Sequence, residues 1–304
     1  MTFQIAVVIT CRNLGRYLGD ALSSVERQTL PAAEIVIVDD ASSDLYTRSV
    51  LSQLIAQGVR VVRTEGRSEG RGAGAARNTG ARETTSRHLV WLDADDVLEP
   101  TYFEMAARIL GDNPWLSFVS CGMQAFGAAH YTWTPSPPTF AEAIATGGVP
   151  HASTVVTREL WEAAGGFDET LPTFELLDFW AAVFSRNFRG VVIDEPLLNY
   201  RIRPNSGYRR SLQPAIYRAR LEHFYEKHRE AVDRHAIDLL KRKEEFLHEQ
   251  RQYRKSLEAS VRRLEGEIAE AERLSAETSA ALGAAGLERV DWGDLRRDEP
   301  VSTR

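Results

Sequence analysis

An α/β fold, with a mixed and mostly parallel sheet flanked by helices and a helical extension behind it, is predicted by three features of the sequence. Ile5 to Ile9 reads as a strand, Tyr17, Leu18, Ala21, Leu22 and Val25 recur at helical spacing, and Glu34 to Val38 reads as a second strand. Strand, helix and strand with short joints is the grammar of a parallel sheet, whose ligands gather beyond the carboxyl ends of the strands. The apolar run Leu89-Val90-Trp91-Leu92 ends in Asp93-Ala94-Asp95-Asp96, a buried strand delivering acids to such an end. From Pro214 the chain turns helical and highly charged, with no proline until Pro300. The expected division is an α/β domain over residues 1–210 and a helical extension over 211–304.

Composition bounds what such a chain does. With 43% hydrophobic and 26% charged residues among 304, it is long enough for one sizeable core plus something extra. A net charge of -6 argues against general nucleic-acid binding, which needs a basic footprint. Cys11 and Cys121 offer neither a disulfide framework nor metal-ligand spacing, as expected in a reducing compartment. Thr2 to Ile9 is strand-like and lacks the basic flank and cleavage site of a signal peptide, and no apolar run approaches the ~20 residues that span a bilayer. The expected location is cytoplasmic, with peripheral contact to the inner face of the membrane left open.

The acid cluster carries the first functional expectation. Alternate strand side chains point the same way, so Asp93 and Asp95 leave on one side while Asp96 enters the turn. Carboxylates this close repel one another, and a hard divalent cation relieves the repulsion while leaving positions for phosphate oxygens. The alternative is a solvated acidic turn.

Asp39 and Asp40 also stand at a strand end, where an acid either accepts hydrogen bonds from a ribose or base or N-caps the next helix, expected near Thr47 to Gln57. A strand at Val59 to Arg63 then precedes the glycine- and arginine-rich stretch Gly66 to Gly80. Glycines there permit close backbone approach to a ligand and arginines meet phosphate; the alternative is a flexible loop running into an Ala-rich helix. Gly70 to Ala75 satisfies the loose dinucleotide pattern, but that fingerprint belongs after the first strand, which here ends in Thr10-Cys11-Arg12-Asn13. Downstream are expected a helix from Pro100, a strand at Trp115 to Val119, a Pro-rich loop at Thr132 to Pro138 and a strand at His151 to Val156. A short helix stopped by Gly165-Gly166, an amphipathic helix from Glu175, a strand at Val191 to Ile193 and a basic loop over Asn199 to Ser206 follow.

Thr10-Cys11-Arg12-Asn13, Val38-Asp39-Asp40-Ala41-Ser42, Ala76-Arg77-Asn78, Asp93-Ala94-Asp95-Asp96, Gly165-Gly166-Phe167-Asp168-Glu169 and Tyr200-Arg201-Ile202-Arg203, in that order, resemble the family 2 glycosyltransferases of the Rossmann-like GT-A fold over roughly residues 4 to 206. The resemblance implies transfer of a sugar, with inversion and with Mn²⁺ or Mg²⁺, from a nucleoside diphosphate donor to a glycan, lipid-linked or protein acceptor. A UDP-sugar is the family-level expectation, with dTDP and GDP as alternatives. By the same resemblance Thr10, Arg12 and Asp39 contact the nucleotide, Asp39 at its base, and Arg77 lies near the nucleotide and its phosphates. Of Asp93, Asp95 and Asp96, one carboxylate meets the ribose or sugar and another the metal, with Asp95 the expected ligand and Asp96 its rival. Arg201 or Arg203 closes over the leaving diphosphate.

One departure stands out. Family members often carry Glu-Asp shortly after Gly-Gly-Phe-Asp-Glu, the aspartate serving as base, but here Glu175 is followed by Leu176, which cannot accept a proton. Glu175 becomes the expected base and Asp178 its rival, although a first-turn acid such as Asp178 also stabilises its own helix. The departure keeps a second reading open: a catalytically silent nucleotide-sugar-binding or scaffolding domain.

In the last third, Leu240, Leu247, Arg254, Val261 and Ile268 lie seven apart, with Leu257, Leu264 and Ala271 in a second row. This spacing predicts a coiled-coil seam and a homo-oligomer, interrupted by Lys243, Gln250 and Arg254; the alternative is a helix folded back on the α/β domain. Arg289 to Arg297 resembles the leader of a methyltransferase domain found downstream of some bacterial glycosyltransferases.

Overall fold

The first strand, β1 (Ile5–Cys11), is buried at all seven positions, because Ile-Ala-Val-Val-Ile-Thr-Cys has apolar or small side chains for both faces of a covered sheet. It pairs in parallel with β2 (Glu34–Asp39) and with β4 (His88–Asp93), and β2 pairs in parallel with β3 (Val61–Arg63). Beyond β4 the sheet becomes mixed: β8 (Val155–Thr157) runs antiparallel to both β4 and β6 (Phe118–Gly127), and β9 (Gly190–Ile202) runs parallel to β6. The short β5 (Val97–Leu98) closes the far edge on β9, and β7 (Tyr131–Trp133) pairs with β6. The computed structural model describes residues 3–65, 70–135, 139–171, 173–203 and 214–284.

Strand alternation sorts the core into two layers. Ile5, Val7 and Ile9 face one cluster, with α1 (Gly15–Glu26), α2 (Leu45–Ala56) and α4 (Tyr102–Asp112) over it. Ala6, Val8, Leu89 and Trp91 face the other, covered by α3 (Ala73–Arg82), α5 (Phe140–Thr146), α6 (Arg158–Ala164) and α7 (Glu175–Ser185). Helix α3 lies very close to the sheet: a Cβ at Gly80 would come 2.2 Å from Val8 Cγ1. That close approach places Arg77, one turn earlier, over the carboxyl end of β4.

Contacts divide the chain into Met1–Lys243 and Glu244–Arg304, so the division falls well after the composition change near Pro214. Within the first unit, α8 (Pro214–Lys227) and α9 (Arg229–Arg234) send Phe224 and Ala231 into the second core cluster. Charged helices read as an appendage therefore complete this core. Helix α10 (Ala236–Ala284) begins in the first unit. In its later part Leu257, Val261, Leu264 and Ile268 are each about half exposed, at 46 to 58%.

Several local expectations change. The Pro-rich loop expected over Thr132 to Pro138 begins in strand, because Thr132 and Trp133 pair with β6, and the strand expected at His151 to Val156 is confined to Val155–Thr157. The expected basic loop over Asn199 to Ser206 is strand as far as Ile202; residues 204–206 lie outside the described residues, as does the 289–297 segment. Its polar residues are satisfied within the sheet, Asn199 by Glu99 at 2.7 Å and the Arg201 amide by Asp96 at 2.8 Å, so polarity there did not mean solvent. The cap of α2 is Asp44, which accepts from the Thr47 amide at 2.9 Å, leaving Asp39 and Asp40 for other work.

Candidate active site

The carboxyl ends of β1 and β4 join α3 and the start of α7 through a hydrogen-bonded chain of polar and charged side chains. Thr10 Oγ1 donates to Asp93 Oδ1 at 2.8 Å across the β1–β4 pair. Arg77 reaches the same carboxylate at 3.2 Å and Glu175 Oε1, on the first turn of α7, at 3.1 Å. Trp91 fixes the arginine from below: its indole Nε1 donates to the Arg77 carbonyl at 3.0 Å. Asp93 shares the Trp91 face because the two are alternate residues of one strand. Burial opposes the charge on Arg77, but Asp93 and Glu175 outweigh it and raise its pKa. Among the described residues, Arg77 Nε and Glu175 Oε2 are buried without a hydrogen-bond partner.

Asp95 and Asp96 occupy the turn between β4 and β5. Burial, then Asp93, raises the Asp95 carboxyl against the opposing charge of Arg203, which hydrogen-bonds its Oδ2. Asp96 is raised well above the usual carboxylate range by burial, then by Asp93 and Asp95. Arg201 is held over the Tyr17 and Phe126 rings at 4.6 and 4.4 Å and donates to the Asp95 carbonyl at 2.9 Å. Both late arginines expected over a diphosphate therefore reach the acid turn.

Whether these residues suit a divalent ion follows from their chemistry. Among the described residues no three His, Cys, Asp or Glu side chains form a metal-holding group. Yet Asp95 and Asp96 are hard oxygen donors whose carboxyls are pushed up by burial and then by neighbouring carboxylates, against the opposing arginines Arg203 and Arg201. This suits Mg²⁺ or Mn²⁺ held by one or two carboxylates and completed by substrate phosphates, in contrast to a closed protein cage.

Around this centre, loops are pinned by side-chain hydrogen bonds to backbone amides, a role the sequence did not announce for Asp40, Asn13 or Asn78. Asp40 accepts from Thr64 Oγ1 and the Arg71 amide at 2.7 Å and from the Gly72 amide at 2.9 Å. The described end of the glycine-rich stretch thus offers those two amides to a carboxylate of this chain. Asp39, fully buried, accepts from the Ser42 amide at 2.9 Å and from Arg63 at 3.0 Å. Arg12 is exposed beside Asn13, whose positive φ of 55° lets it tie the first loop to Ser43 and Asp44. Asn78 grips Phe167 at both amide and carbonyl, at 2.9 and 2.8 Å, so the Ala-Arg-Asn and Gly-Gly-Phe-Asp-Glu motifs form one unit.

The two expected bases have different surroundings. Asp178 is nearly fully buried and receives Lys227 and His228, both at 2.8 Å, from the α8–α9 turn. Glu175 is also buried, but it keeps one oxygen unpartnered.

A sequence profile described as glycosyl transferase family 2 matches residues 6–157, half of the chain. The chain belongs to that family. An uncharacterized glycosyltransferase of Haemophilus influenzae is 28% identical over 204 residues, covering 64% of this chain and 67% of that protein. One from Nostoc sp. is 40% identical over 97 residues, covering 32% and 30%. The chain thus spans about two thirds of the first relative's length and under a third of the second's. S. aureus TarS 1–349, solved in complex with UDP-GlcNAc, aligns with a TM-score of 0.62 at 18% identity, covering 81% of this chain and 72% of that one. A mannosyltransferase from Pyrobaculum calidifontis, solved with GDP-Man and Mn²⁺, aligns at 0.53 and 20% identity, covering 74% and 64%. The fold of this family 2 chain is GT-A, with a long C-terminal helix. Among the described residues no helix is long and apolar enough to cross a membrane.

Acid should loosen the loop that follows the Gly-Gly turn. Burial pushes the Asp168 carboxyl up, but hydrogen bonds from Lys227 and Thr170 outweigh it and hold the pKa at about 2, against an ordinary 3.8. A depressed folded-state pKa contributes stability present above the unfolded value and lost as pH falls through the folded one. Asp168→Asn should therefore be less stable than the parent at pH 7 in urea unfolding, with the difference shrinking as pH falls from about 4 towards about 2.

Proposed function

We propose that this family 2 chain is a metal-dependent, inverting glycosyltransferase that moves a sugar from a nucleoside diphosphate donor, foremost a UDP-sugar, to an acceptor hydroxyl in bacterial glycan or glycoconjugate synthesis. What supports this reading most is the charge arrangement at the end of β4: Asp93, Asp95 and Asp96 stand together with Arg77, Arg201 and Arg203 in contact. Such a site gains stability from a cation and a polyphosphate arriving together. The bound complexes of TarS and the Pyrobaculum enzyme, with UDP-GlcNAc and with GDP-Man and Mn²⁺, agree with that donor class.

In this reading Thr10 and Asp39 line the nucleotide end, with exposed Arg12 free to reach it, and Arg77 keeps Asp93 oriented towards the ribose or sugar. Asp95 and Asp96 would hold the metal, which when bound stabilises negative charge on the leaving diphosphate. Arg203, now paired with Asp95, and Arg201 would add charge on the leaving side. Inversion needs a base within hydrogen-bond reach of the acceptor, and Glu175 Oε2, buried and without a partner among the described residues, is the carboxylate oxygen assigned to that proton. Asp178, held by Lys227 and His228, instead anchors the start of α7. Leu176 favours the second reading, a silent nucleotide-sugar-binding scaffold, which binds donor without turnover. The apolar stripe of α10 supports self-association through that helix, as does its heptad spacing.

Calorimetric titration of UDP, GDP and dTDP, with and without Mn²⁺, tests the donor site: one nucleotide should bind in a metal-dependent manner, and Asp95→Ala should abolish that dependence. Binding that survives in Asp95→Ala removes its role as ligand. Glu175→Gln should lose donor turnover by about 100-fold or more at unchanged donor affinity; normal turnover moves the proton elsewhere. Light scattering of Leu264→Glu should report a smaller assembly than the parent chain, and equal masses would dispose of the coiled-coil seam.

A further inference from the structure

The edge strand β7 carries exposed aromatic side chains that the donor site does not use, Tyr131 at 49% and Trp133 at 36%. The two residues alternate on one strand, so their rings stand on the same face, about 7 Å apart along it. Pairing places Tyr131 opposite Ala125 and Trp133 opposite Met123 on β6. The same two β6 residues align with Tyr200 and Leu198 on β9. Tyr131, Ala125 and Tyr200 thus form one row across three strands. The residue after Tyr200 donates its amide to Asp96 at 2.8 Å, so the β9 end of this row stands beside the acid turn. The row runs from an open sheet edge to the acid cluster.

The chemistry of this surface narrows its occupant. Residues 127–135 contain no Asp, Glu, Lys or Arg, and the guanidinium groups of Arg201 and Arg203, at and just after the end of β9, are engaged by Asp20 and Asp95. A membrane headgroup or a nucleic acid finds no counter-charge here. A neutral pyranose does fit: its C–H face packs on an aromatic ring while its rim of hydroxyls meets polar handles such as the Tyr131 and Tyr200 phenols. The row also lies on the β6–β9 half of the sheet, across the acids from β1 and β2, where the nucleotide belongs in the proposed donor site.

We infer that Tyr131 and Trp133 form the acceptor subsite, a stacking platform for the sugar rings of a neutral oligosaccharide. The inference rests on the glycosyltransferase reading and names the acceptor of that reaction as a glycan. The patch lies at the edge of the sheet, so truncating its rings leaves the two core clusters intact.

The test measures, on the full chain, binding of cellotetraose, chitotetraose and mannotetraose by saturation-transfer NMR and titration, with UDP and Mn²⁺ titrated in parallel. The parent should bind at least one oligosaccharide, Trp133→Ala and Tyr131→Ala should weaken it by about 10-fold or more, Trp133→Phe should retain most of it, and UDP affinity should not change. No saccharide binding by the parent, or binding indifferent to Trp133→Ala, overturns the platform. A change in assembly mass on Trp133→Ala without any saccharide effect also overturns it and makes the patch a contact between copies. Saccharide binding lost in Trp133→Ala, in a chain that binds no nucleotide, keeps the platform and overturns only the glycosyltransferase reading.

Discussion

The Arg77 guanidinium, buried between Asp93 and Glu175, is the interaction on which the rest of the site depends. It touches both the strand end bearing the acids and the first turn of α7. Truncating one partner of a buried, hydrogen-bonded ion pair costs about 3–5 kcal/mol, because the remaining charge is stranded in low dielectric. Arg77 is held against that cost from several sides: the Trp91 indole on its carbonyl, the Phe167 ring 5.4 Å from its guanidinium, and the Gly80 contact that lets α3 settle on β1. Sheet geometry and site electrostatics are therefore one problem in this chain.

Loop order around this centre follows the same logic. Backbone amides that leave a strand end need acceptors, and three polar side chains supply or match them: Asp40 for residues 71 and 72, Asn13 for residues 43 and 44, and Asn78 for Phe167. Each bond spans tens of residues in sequence, so each joins segments that are neighbours only after folding. The Lys227–Asp178–His228 contact extends the scheme to helices beyond the six motifs, and it places α8 and α9 in the structure of the site.

A division of labour across the sheet emerges. The parallel half, β3-β2-β1-β4, ends in Asp39, Thr10 and Asp93. The mixed half carries a bulged β6–β9 pair that extends past the acids, bringing Tyr200, Arg201 and Arg203 back over them. Register shifts between Cys121 and Met123 make this geometry, because two strands of unequal length are paired without losing alignment at their far ends.

Much of this was determined by the sequence alone. Apolar periodicity marks β1, α1, β2, β4 and α7, since a strand buried on both faces or a half-buried helix has a local signature. Clustered acids at a strand end are equally local, which is why Asp93, Asp95 and Asp96 stand out in the sequence as a candidate site. What only the tertiary structure decided are the partners. That Glu175 is held by Arg77 and Asp178 by Lys227 and His228 depends on residues 49 or more positions away. That β9 continues through Asn199, Tyr200 and Arg201 depends on Glu99 and Asp96 satisfying polar groups that, read locally, belong in a loop. Hydrophobic pattern is written along the chain, whereas the compensation of buried charge is written across it.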